Sequence, residues 1–445
     1  MPLDRRRLIA ATGAAPLALP ARAAPLGHYG LEATHYGVRP GTPEDQTDKL
    51  QRAIDDADRR RAPLALAPGV YRAAGLKLPS GAQIVGVRGA TRLLLARGEA
   101  MLSSQGGDTL TLAGLSFEGS ERAPKDRALL HLVGAKHLHI TDCTVENSGG
   151  GGIALESCTG LIEGNTLSKL GDTGLFCLNG QGLIVRANRI GNCGNGGIRI
   201  WQSEKRQDGS LVADNTVEEI DARAGGDGQN GNGINVFRAT GVIVRNNAIR
   251  NCAFSAVRGN AASNMQVLGN NCREIGEVEL YAEFEFEGGV ISNNIVDGAA
   301  VGVSVTNFNR GGRLAVVQGN LIRNLKPVRP QGGPDAAGLG IAVEADSTVT
   351  GNVIERAPAM GISIGAGQYL RDVAVTGNVI RDTAIGIGIS VAPRAGGAAI
   401  TGNVISGARR GAILGVQWGK PVTGDFAKDG AAGYSQFTIA NNRIG

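Results

Sequence analysis

A short phrase built around asparagine recurs through the C-terminal two thirds of the chain. In each copy an aliphatic residue or a cysteine follows two positions after the asparagine, and most copies lie 22 to 27 residues apart. The asparagines are Asn165, Asn188, Asn215, Asn247, Asn270, Asn294, Asn320, Asn352, Asn378, Asn403 and Asn442, and Cys143 takes the same place in a degenerate first copy. A recurring period of this length predicts a solenoid, in which each repeat is one coil stacked on the last.

Each period also holds a second short run, in which a glycine precedes alternating apolar and polar residues. Examples are GIRI at 197–200 and GINV at 233–236. Alternation with a period of two predicts β-strands rather than helices. A leucine-rich repeat has a comparable length, but it needs a Leu-x-x-Leu-x-Leu pattern that this chain lacks. We therefore predict an all-β fold, a right-handed single-stranded parallel β-helix of about 12 coils.

The recurrent asparagine is predicted to be structural. At a corner between strands, an asparagine tolerates left-handed backbone angles, and its side-chain amide can bond the asparagines of the coils above and below. A second row, five positions later, is predicted to point inward: Leu170, Cys193, Ile220, Cys252, Ile275 and Leu325. The six cysteines lie mostly at apolar positions and match no zinc motif, so we predict buried free thiols.

Residues 1–23 are predicted to be a twin-arginine export signal. Paired arginines at residues 5–7 precede a weakly apolar stretch, and Ala-Arg-Ala at residues 21–23 is a small-x-small cleavage site. The stretch is short and broken by prolines, so it does not suit a bilayer span. We expect a twin-arginine translocase as partner during export, a periplasmic or secreted protein, and no membrane anchor after cleavage. The alternative is an ordinary basic N-terminus in the cytoplasm.

Residues 24–95 are predicted to form an N-terminal cap and the first coils, continuous in one domain with the repeats at residues 96–445. Apolar residues recur at helical spacing between residues 46 and 60, namely Leu50, Ala53, Ile54 and Ala57. A short helix ahead of the first coil would cover the apolar end of the solenoid.

Several phrases of this segment resemble the cap and first coils of the pectate-lyase-like superfamily. They are Tyr36-Gly37-Val38, residues 45–55, residues 66–71 and residues 79–86. With the paired arginines, the whole chain resembles the twin-arginine-translocated repetitive proteins of alphaproteobacteria, an uncharacterised family. The resemblance implies the β-helix fold and a function on polysaccharide. It does not extend to the polygalacturonase-like hydrolases, because no histidine follows His139 to supply their Gly-His-Gly motif.

Aligning the second runs on their Gly-Ile-x-Val pattern predicts two outward columns of side chains along the rod. One column is predicted to read Arg199, Asn235, Arg258, Glu283, Ser304 and Ala342, and the next Trp201, Phe237, Asn260, Glu285, Thr306 and Glu344. The sequence YAEFEFE at residues 281–287 predicts three carboxylates on one face of a single strand, Glu283, Glu285 and Glu287. Backbones two residues apart are separated by about 6.6 Å, which suits the acid and base of a hydrolase.

The same residues suit other chemistries. With Arg258 one coil away, the three carboxylates can bind Ca²⁺ or orient a sugar carboxylate. Lyase or epimerase chemistry needs a base, for which Arg258 and Tyr281 are the candidates. The predicted catalytic residues are therefore Arg258, Tyr281, Glu283 and Glu285. The predicted substrate-binding residues are Arg199, Trp201, Asn235, Phe237, Asn260 and Asn307. A solvated charged edge of a solenoid would give the same pattern.

Three functions remain open: a lyase or epimerase acting on an acidic polysaccharide, a glycoside hydrolase that uses a glutamate pair, and a non-catalytic envelope protein that binds glycan or protein. The net charge of +5 falls to +2 without the predicted signal, which carries four arginines and one aspartate, so nucleic acid is not an expected partner. Residues 221–231 and 326–338 lengthen the period to 32. Such insertions would project on one side, where one interpretation is that they wall a groove and the alternative is that they are inert.

Overall fold

The chain winds into a parallel β-solenoid of about 13 turns. The computed structural model describes residues 30–98, 100–119, 128–226, 228–330 and 337–445. The predicted export signal at residues 1–23 lies outside the described residues. None of the described helices is long and apolar enough to cross a membrane.

Each coil contributes three short strands, which stack on their equivalents in the neighbouring coils. In one coil these strands are Ile184–Arg186, Arg189–Cys193 and Gly196–Gln207. They pair in parallel with Leu211–Ala213, Thr216–Ile220 and Asn232–Thr240 of the next coil. The three resulting faces of the rod are named sheets A, B and C in that order.

The strands of each sheet follow the chain from one end of the rod to the other. Sheet A contains Leu31–Glu32, Leu64–Ala65, Gln83–Val85, the ends of Leu102–Ala113 and Ala128–Thr141, Gly160–Glu163, Ile184–Arg186, Leu211–Ala213, Ile243–Arg245, Met265–Leu268, Glu287–Ser292, Arg313–Gln318, Ala345–Thr350, Arg371–Thr376, Ala398–Thr401 and Phe437–Ala440. Sheet B contains Gly69–Ala73, Thr91–Leu95, Ser116–Glu118, Thr144–Ser148, Thr166–Leu170, Arg189–Cys193, Thr216–Ile220, Ala248–Cys252, Asn271–Arg273, Ile295–Asp297, Leu321–Arg323, Val353–Glu355, the starts of Val379–Ser390 and Val404–Gln417, and Arg443–Ile444. Sheet C contains Leu76–Leu78, the starts of Leu102–Ala113 and Ala128–Thr141, Gly151–Glu156, Thr173–Leu178, Gly196–Gln207, Asn232–Thr240, Val257–Asn260, Val278–Glu283, Val301–Val305, Leu339–Val343, Met360–Ile364, the ends of Val379–Ser390 and Val404–Gln417, and the antiparallel Lys420–Asp425.

Helices occupy little of the described chain. Helix α1, Thr47–Arg59, buries Leu50, Ala53, Ile54 and Ala57 against the first strands of the rod, as the helical spacing predicted. Helix α2 is the single turn Phe426–Asp429. Two 3₁₀ turns, Ala33–Tyr36 and Phe308–Arg310, complete the helical segments of the described residues.

The predicted asparagine ladder runs along the corner between sheets A and B. From Asn165 onward, each side-chain Nδ2 donates to Oδ1 of the ladder asparagine in the next coil, at 2.9 to 3.0 Å. The left-handed residue is the one before it, such as Asp214, Asn246 or Asn293, or a glycine. The prediction that the ladder asparagine itself takes left-handed angles is therefore wrong. The chain turns one residue earlier, which directs the amide along the rod.

The interior of the rod is filled by small aliphatic side chains and cysteines. The inward row predicted five positions after the asparagines is buried at every one of its members, Leu170, Cys193, Ile220, Cys252, Ile275 and Leu325. All six cysteines are buried and free. Burial raises the pKa of the Cys143 and Cys193 thiols to about 12, so these thiols are protonated and packed as apolar groups.

Many strands of sheet C have, near their start, a glycine whose missing side chain would face the interior. A Cβ atom added at Gly197 would lie 2.3 Å from the carbonyl oxygen of Gly233 and 2.7 Å from Cγ1 of Val217. The inward glycines of this column are Gly152, Gly174, Gly197, Gly233, Gly302, Gly340, Gly361 and Gly386. In one coil Glu279 stands at the position of these glycines. Its neighbours Val278 and Leu280 pair with Val301 and Val303, which places Glu279 opposite Gly302.

The substitution Gly197→Ala is expected to destabilise the protein by about 2 kcal/mol, because an extra methyl group in a tightly packed site forces the backbone to shift. Chemical denaturation measures this loss. The matched control is Gly433→Ala, since a Cβ atom at Gly433 meets nothing within 4 Å. An equal loss of stability in both variants would contradict close packing of the column.

Candidate functional site

A groove of about 860 Å³ lies on the outward face of sheet C. Its floor is formed by five consecutive strands, from Val257–Asn260 to Met360–Ile364. One wall contains Arg329 and Ala337, which belong to the insertion at residues 326–338. The opposite end is formed by Trp418, at the tip of the hairpin that joins Val404–Gln417 to Lys420–Asp425.

The register of the outward columns differs from the predicted one at Glu283. Arg258 pairs with Tyr281, and Asn260 pairs with Glu283. The prediction placed Glu283 directly beside Arg258 and is wrong by two residues. Its cause is Glu279, which stands where other coils have the glycine that the alignment relied on.

The three carboxylates predicted on one strand face are separated. The strand ends at Glu283, and Phe284 and Glu285 then take left-handed backbone angles. Glu285 is exposed, and Glu287 begins a strand of sheet A, where it pairs with Arg313. Because the chain turns between them, the predicted Glu283 and Glu285 pair and the predicted Ca²⁺ ligands do not share a face. Within the described ranges, no group of three acidic, histidine or cysteine side chains is placed to hold a metal ion.

Arg258 contacts Glu283 diagonally across the two columns. Its Nε donates to Oε1 at 2.7 Å and its Nη2 donates to Oε2 at 2.9 Å. Nη1 donates to Glu277 at 3.2 Å, and Arg329 donates to the other oxygen of Glu277 at 2.6 Å. Asn260 adds a hydrogen bond of 2.9 Å to Oε1 of Glu283. This buried network fixes the charges at one end of the groove.

The predicted bases Arg258 and Tyr281 are both poor proton acceptors in this environment. Burial lowers the pKa of Arg258, but the hydrogen bonds and charges of Glu283 and Glu277 outweigh burial, so its pKa is raised. Burial and then the charge of Glu283 raise the pKa of Tyr281 well above its usual range. Neither side chain is poised to remove a proton at neutral pH.

Glu344 is the titratable group of the groove whose pKa lies near neutrality. Burial raises its pKa to about 7, although the backbone N–H groups of Phe308 and Asn307 lower it. The N–H of Phe308 donates to Oε2 of Glu344 at 2.6 Å. Asn307 also lies at the groove and has left-handed backbone angles. Its buried Oδ1 has no hydrogen-bond partner within the described ranges. The sequence alignment placed Glu344 in an outward column but did not identify it as a site residue, because only its burial makes it unusual.

Apolar side chains form part of the groove. Val278, Val301, Leu339 and Met360 follow one another on successive coils. The Trp418 side chain is 68% exposed, and its indole lies over Gly367, where an added Cβ atom would be within 2.7 Å of three ring atoms. An exposed indole beside an apolar strip offers a flat surface for a sugar ring. Trp418 was not among the predicted site residues, because it lies far along the chain from the repeats that indicated the site.

An aromatic cluster continues the face of sheet C toward the N-terminus. The ring of Trp201 lies 5.4 Å from that of Phe176 and 5.5 Å from that of Phe237. All three side chains are partly exposed, and Trp201 Nε1 donates to Asn235 at 2.7 Å. The buried Arg199 lies over Trp201, with 5.3 Å between Cζ and the ring centre. The structure therefore brings the predicted binding residues of this region onto one surface.

A family model described as "Right handed beta helix region" matches residues 128–221 and 204–371, which is more than half of the chain. The chain belongs to the right-handed β-helix family. No curated protein sequence matches this β-helix protein.

Solved structures share the fold at low sequence identity. The pre-mature gene product 12 of bacteriophage phi29 is similar with a TM-score of 0.54 and 13% identity, over 88% of this chain and 58% of that chain. An N-terminal fragment of the same phage protein gives a TM-score of 0.51 and 14% identity, over 87% of this chain and 69% of that one. The catalytic unit of a GH87 alpha-1,3-glucanase from Streptomyces thermodiastaticus strain HF3-3 is similar with a TM-score of 0.49 and 15% identity. The match covers 95% of this chain and 69% of that one. These likenesses concern the fold alone, and the β-helix protein spans little more than half the length of the first.

Proposed function

We propose that the protein binds a polysaccharide along the outward face of sheet C and hydrolyses it, with Glu344 as general acid. The observation that carries this proposal is a buried carboxyl group in an open groove, with a pKa of about 7. A general acid works best when its pKa lies near the working pH. Glu344 meets this condition without a metal ion or cofactor.

Glu283 is the charged partner of Glu344 in this proposal. It is ion-paired with Arg258, and its Oε2 accepts one hydrogen bond among the described residues, which leaves a lone pair for a water molecule. A carboxylate that is ion-paired with an arginine and a second, buried carboxyl group in the same groove suit the arrangement of an acid and its charged partner.

The backbones of the two glutamates are far enough apart to leave room for the water molecule of an inverting mechanism. Ala282, Val305 and Val343 pair across successive coils, so Glu283 and Glu344 follow at equivalent positions two coils apart, with Thr306 between them. Their backbones are therefore separated by about 10 Å. Inverting glycosidases hold their carboxyl groups about 6.5 to 9.5 Å apart to admit a water molecule, whereas retaining enzymes hold them about 5 Å apart.

The length of the surface favours a polymer over a single sugar. Phe176 at one end and Ser363 at the other occupy one outward column and are joined by seven coil steps. Seven steps correspond to about 34 Å. Aromatic rings near both ends, Phe176 and Trp201 at one and Trp418 at the other, provide faces on which pyranose rings can stack.

The substitution Glu344→Gln is expected to lower hydrolysis at least a hundredfold, because it removes the transferable proton and preserves the shape of the side chain. The assay incubates the full chain with neutral and uronate-containing polysaccharides and measures new reducing ends. In the wild type, activity should fall as the pH rises through about 7, when Glu344 loses its proton. Binding, measured by affinity electrophoresis, should survive the substitution.

Two further measurements separate this proposal from its alternatives. Glu355→Gln, at a carboxylate on sheet B, is the matched control and should keep its activity. Loss of activity in Glu285→Gln, with Glu344→Gln still active, would instead support the pair predicted from sequence. A rise in the absorbance of unsaturated uronates would identify a lyase, and binding without any cleavage would identify a glycan-binding protein.

A further inference from the structure

Arg199 is a buried cation without a carboxylate partner among the described residues. Its side chain lies in the strand Gly196–Gln207, and the residue is 9% exposed. No carboxylate oxygen of the described chain lies within 4.0 Å of its guanidinium. Its Nη2 donates to the carbonyl oxygen of Asn195 at 3.1 Å and to Oδ1 of Asn230 at 2.8 Å. Its Nε is buried and has no hydrogen-bond partner in the described part of the chain.

The contrast with Arg258 shows that the lack of an ion pair at Arg199 is not a general property of this outward column. Arg199 and Arg258 occupy the same outward column, with Asn235 between them. Arg258 is neutralised by Glu283 and Glu277. The described hydrogen bonds of Arg199 go to neutral amide oxygens, and Asp172 acts on its charge from a distance without an ion pair. A buried charge is costly unless an opposite charge compensates it. Among the described residues, the fold therefore holds a buried positive charge that no direct ion pair compensates.

The surroundings of Arg199 are suited to a sugar. The guanidinium borders the aromatic cluster of Phe176, Trp201 and Phe237. A pyranose ring stacked on this cluster would bring an acidic substituent within reach of the guanidinium. Guanidinium groups bind carboxylate and sulfate oxygens through charge-assisted hydrogen bonds.

We propose that Arg199 and the aromatic cluster form a subsite for an anionic sugar unit, whose carboxylate or sulfate group pairs with the guanidinium. The inference rests on the proposed binding of polysaccharide and extends it to the substrate class. Arg199 lies five coil steps from Glu344, which is about 24 Å. The subsite therefore recognises a sugar unit several positions from the bond that is cleaved, and it selects a polymer with acidic substituents.

The test observes the arginine directly in the full chain. Protein labelled with ¹⁵N-arginine is titrated with sodium glucuronate, sodium sulfate, sodium chloride at equal ionic strength, and glucose. The spectrum of the Arg199→Met variant assigns the Nε–H signal of Arg199. We expect a saturable shift of that signal with glucuronate, with sulfate or with both, and none with chloride or glucose. The anion that gives the tighter titration identifies the substituent as carboxylate or sulfate.

The matched control is Arg238→Met, which removes an exposed arginine stacked on Phe237 in the same cluster. Arg199→Met should weaken binding of the favoured anion at least tenfold, the loss typical of one charge-assisted hydrogen bond, while Arg238→Met keeps it. The absence of a saturable shift with both anions, or an equal loss in both variants, would overturn the subsite. Should Arg199→Met not fold, the wild-type titration still decides, because selective labelling and the Arg199→Lys variant assign the signal.

The outcome is independent of catalysis. Glu344→Gln should bind the anion as the wild type does. Anion binding at Arg199 without hydrolysis of any polymer would reject the proposed acid and retain the subsite. Hydrolysis of neutral and acidic polymers alike, with no anion effect at Arg199, would reject the subsite and retain the acid.

Discussion

The wild-type protein is expected to lose about 5 kcal/mol of its free energy of unfolding between acidic and alkaline pH, and Glu279→Gln is expected to abolish this pH dependence. Glu279 faces the interior of the rod in the column of inward glycines, and it is fully buried. Its Oε1 accepts one long hydrogen bond of 3.4 Å from the N–H of Asp297, and its Oε2 has no hydrogen-bond partner among the residues that the structure describes. The charged carboxylate is therefore poorly solvated at this position.

The sign of the effect follows from the pKa. Burial raises the pKa of Glu279 from 4.5 to about 8. Between these values the folded protein keeps a proton that the unfolded chain has released, so stability falls as the pH rises. Each pKa unit corresponds to about 1.4 kcal/mol, which gives about 5 kcal/mol in all. The loss begins near pH 4.5 and is complete above pH 8.

Denaturation by guanidinium at several pH values between 5 and 9 measures this effect. The stability difference between Glu279→Gln and the wild type should widen steadily up to pH 8 and then stay constant. Glu204→Gln, a change at an exposed glutamate of a sheet C strand, should run parallel to the wild type. A constant difference between Glu279→Gln and wild type over the whole range would show that Glu279 is ionised in the folded protein.

Replacing Asn294 with alanine, in the middle of the asparagine ladder, is expected to destabilise the protein by about 3–5 kcal/mol. Asn294 accepts hydrogen bonds from the N–H and Nδ2 of Asn270, and it donates to Val267 and Asn320. Alanine leaves several of these buried groups without partners, and each buried unsatisfied group costs about 1–3 kcal/mol.

The neighbouring residue provides the matched control for the ladder. Asn293 is exposed and has a φ of 57°, and glycine occupies the equivalent corner as Gly269 and Gly319 in the coils on either side. Asn293→Gly should therefore change the free energy of unfolding by less than about 1 kcal/mol. Equal losses at Asn293 and Asn294 would contradict the separation of the left-handed corner from the ladder.

The coil, its asparagine ladder and its interior could be predicted from sequence because each depends on residues close together in the chain. The period of the asparagines specifies the stacking of coils, and the alternation of Gly-Ile-x-Val specifies strands. Every coil must bury the same positions against its neighbours, so the pattern is repeated many times and single exceptions do not obscure it. Helix α1 followed from its own apolar spacing in the same way.

The candidate site could be predicted only in part. The sequence identified the face that carries Arg199, Trp201, Arg258 and Glu283, since outward positions alternate with inward ones. It assigned the wrong register to Glu283 because Glu279 replaces the glycine on which the alignment depended. It placed Glu285 on the same face because no local sequence signal indicates the left-handed turn after Glu283. Both errors arise where one coil departs from the repeat.

The sequence by itself determined the right-handed β-helix, the ladder that lines its corner and the sheet that bears the polar columns. Only the tertiary structure decided which of these side chains carry unusual chemistry. The pKa of Glu344 depends on burial beneath residues 307–308 of the preceding coil, and the isolation of Arg199 depends on which carboxylates the neighbouring coils supply. Burial and charge pairing depend on residues that are distant in the chain, so the repeat period of the sequence does not predict them.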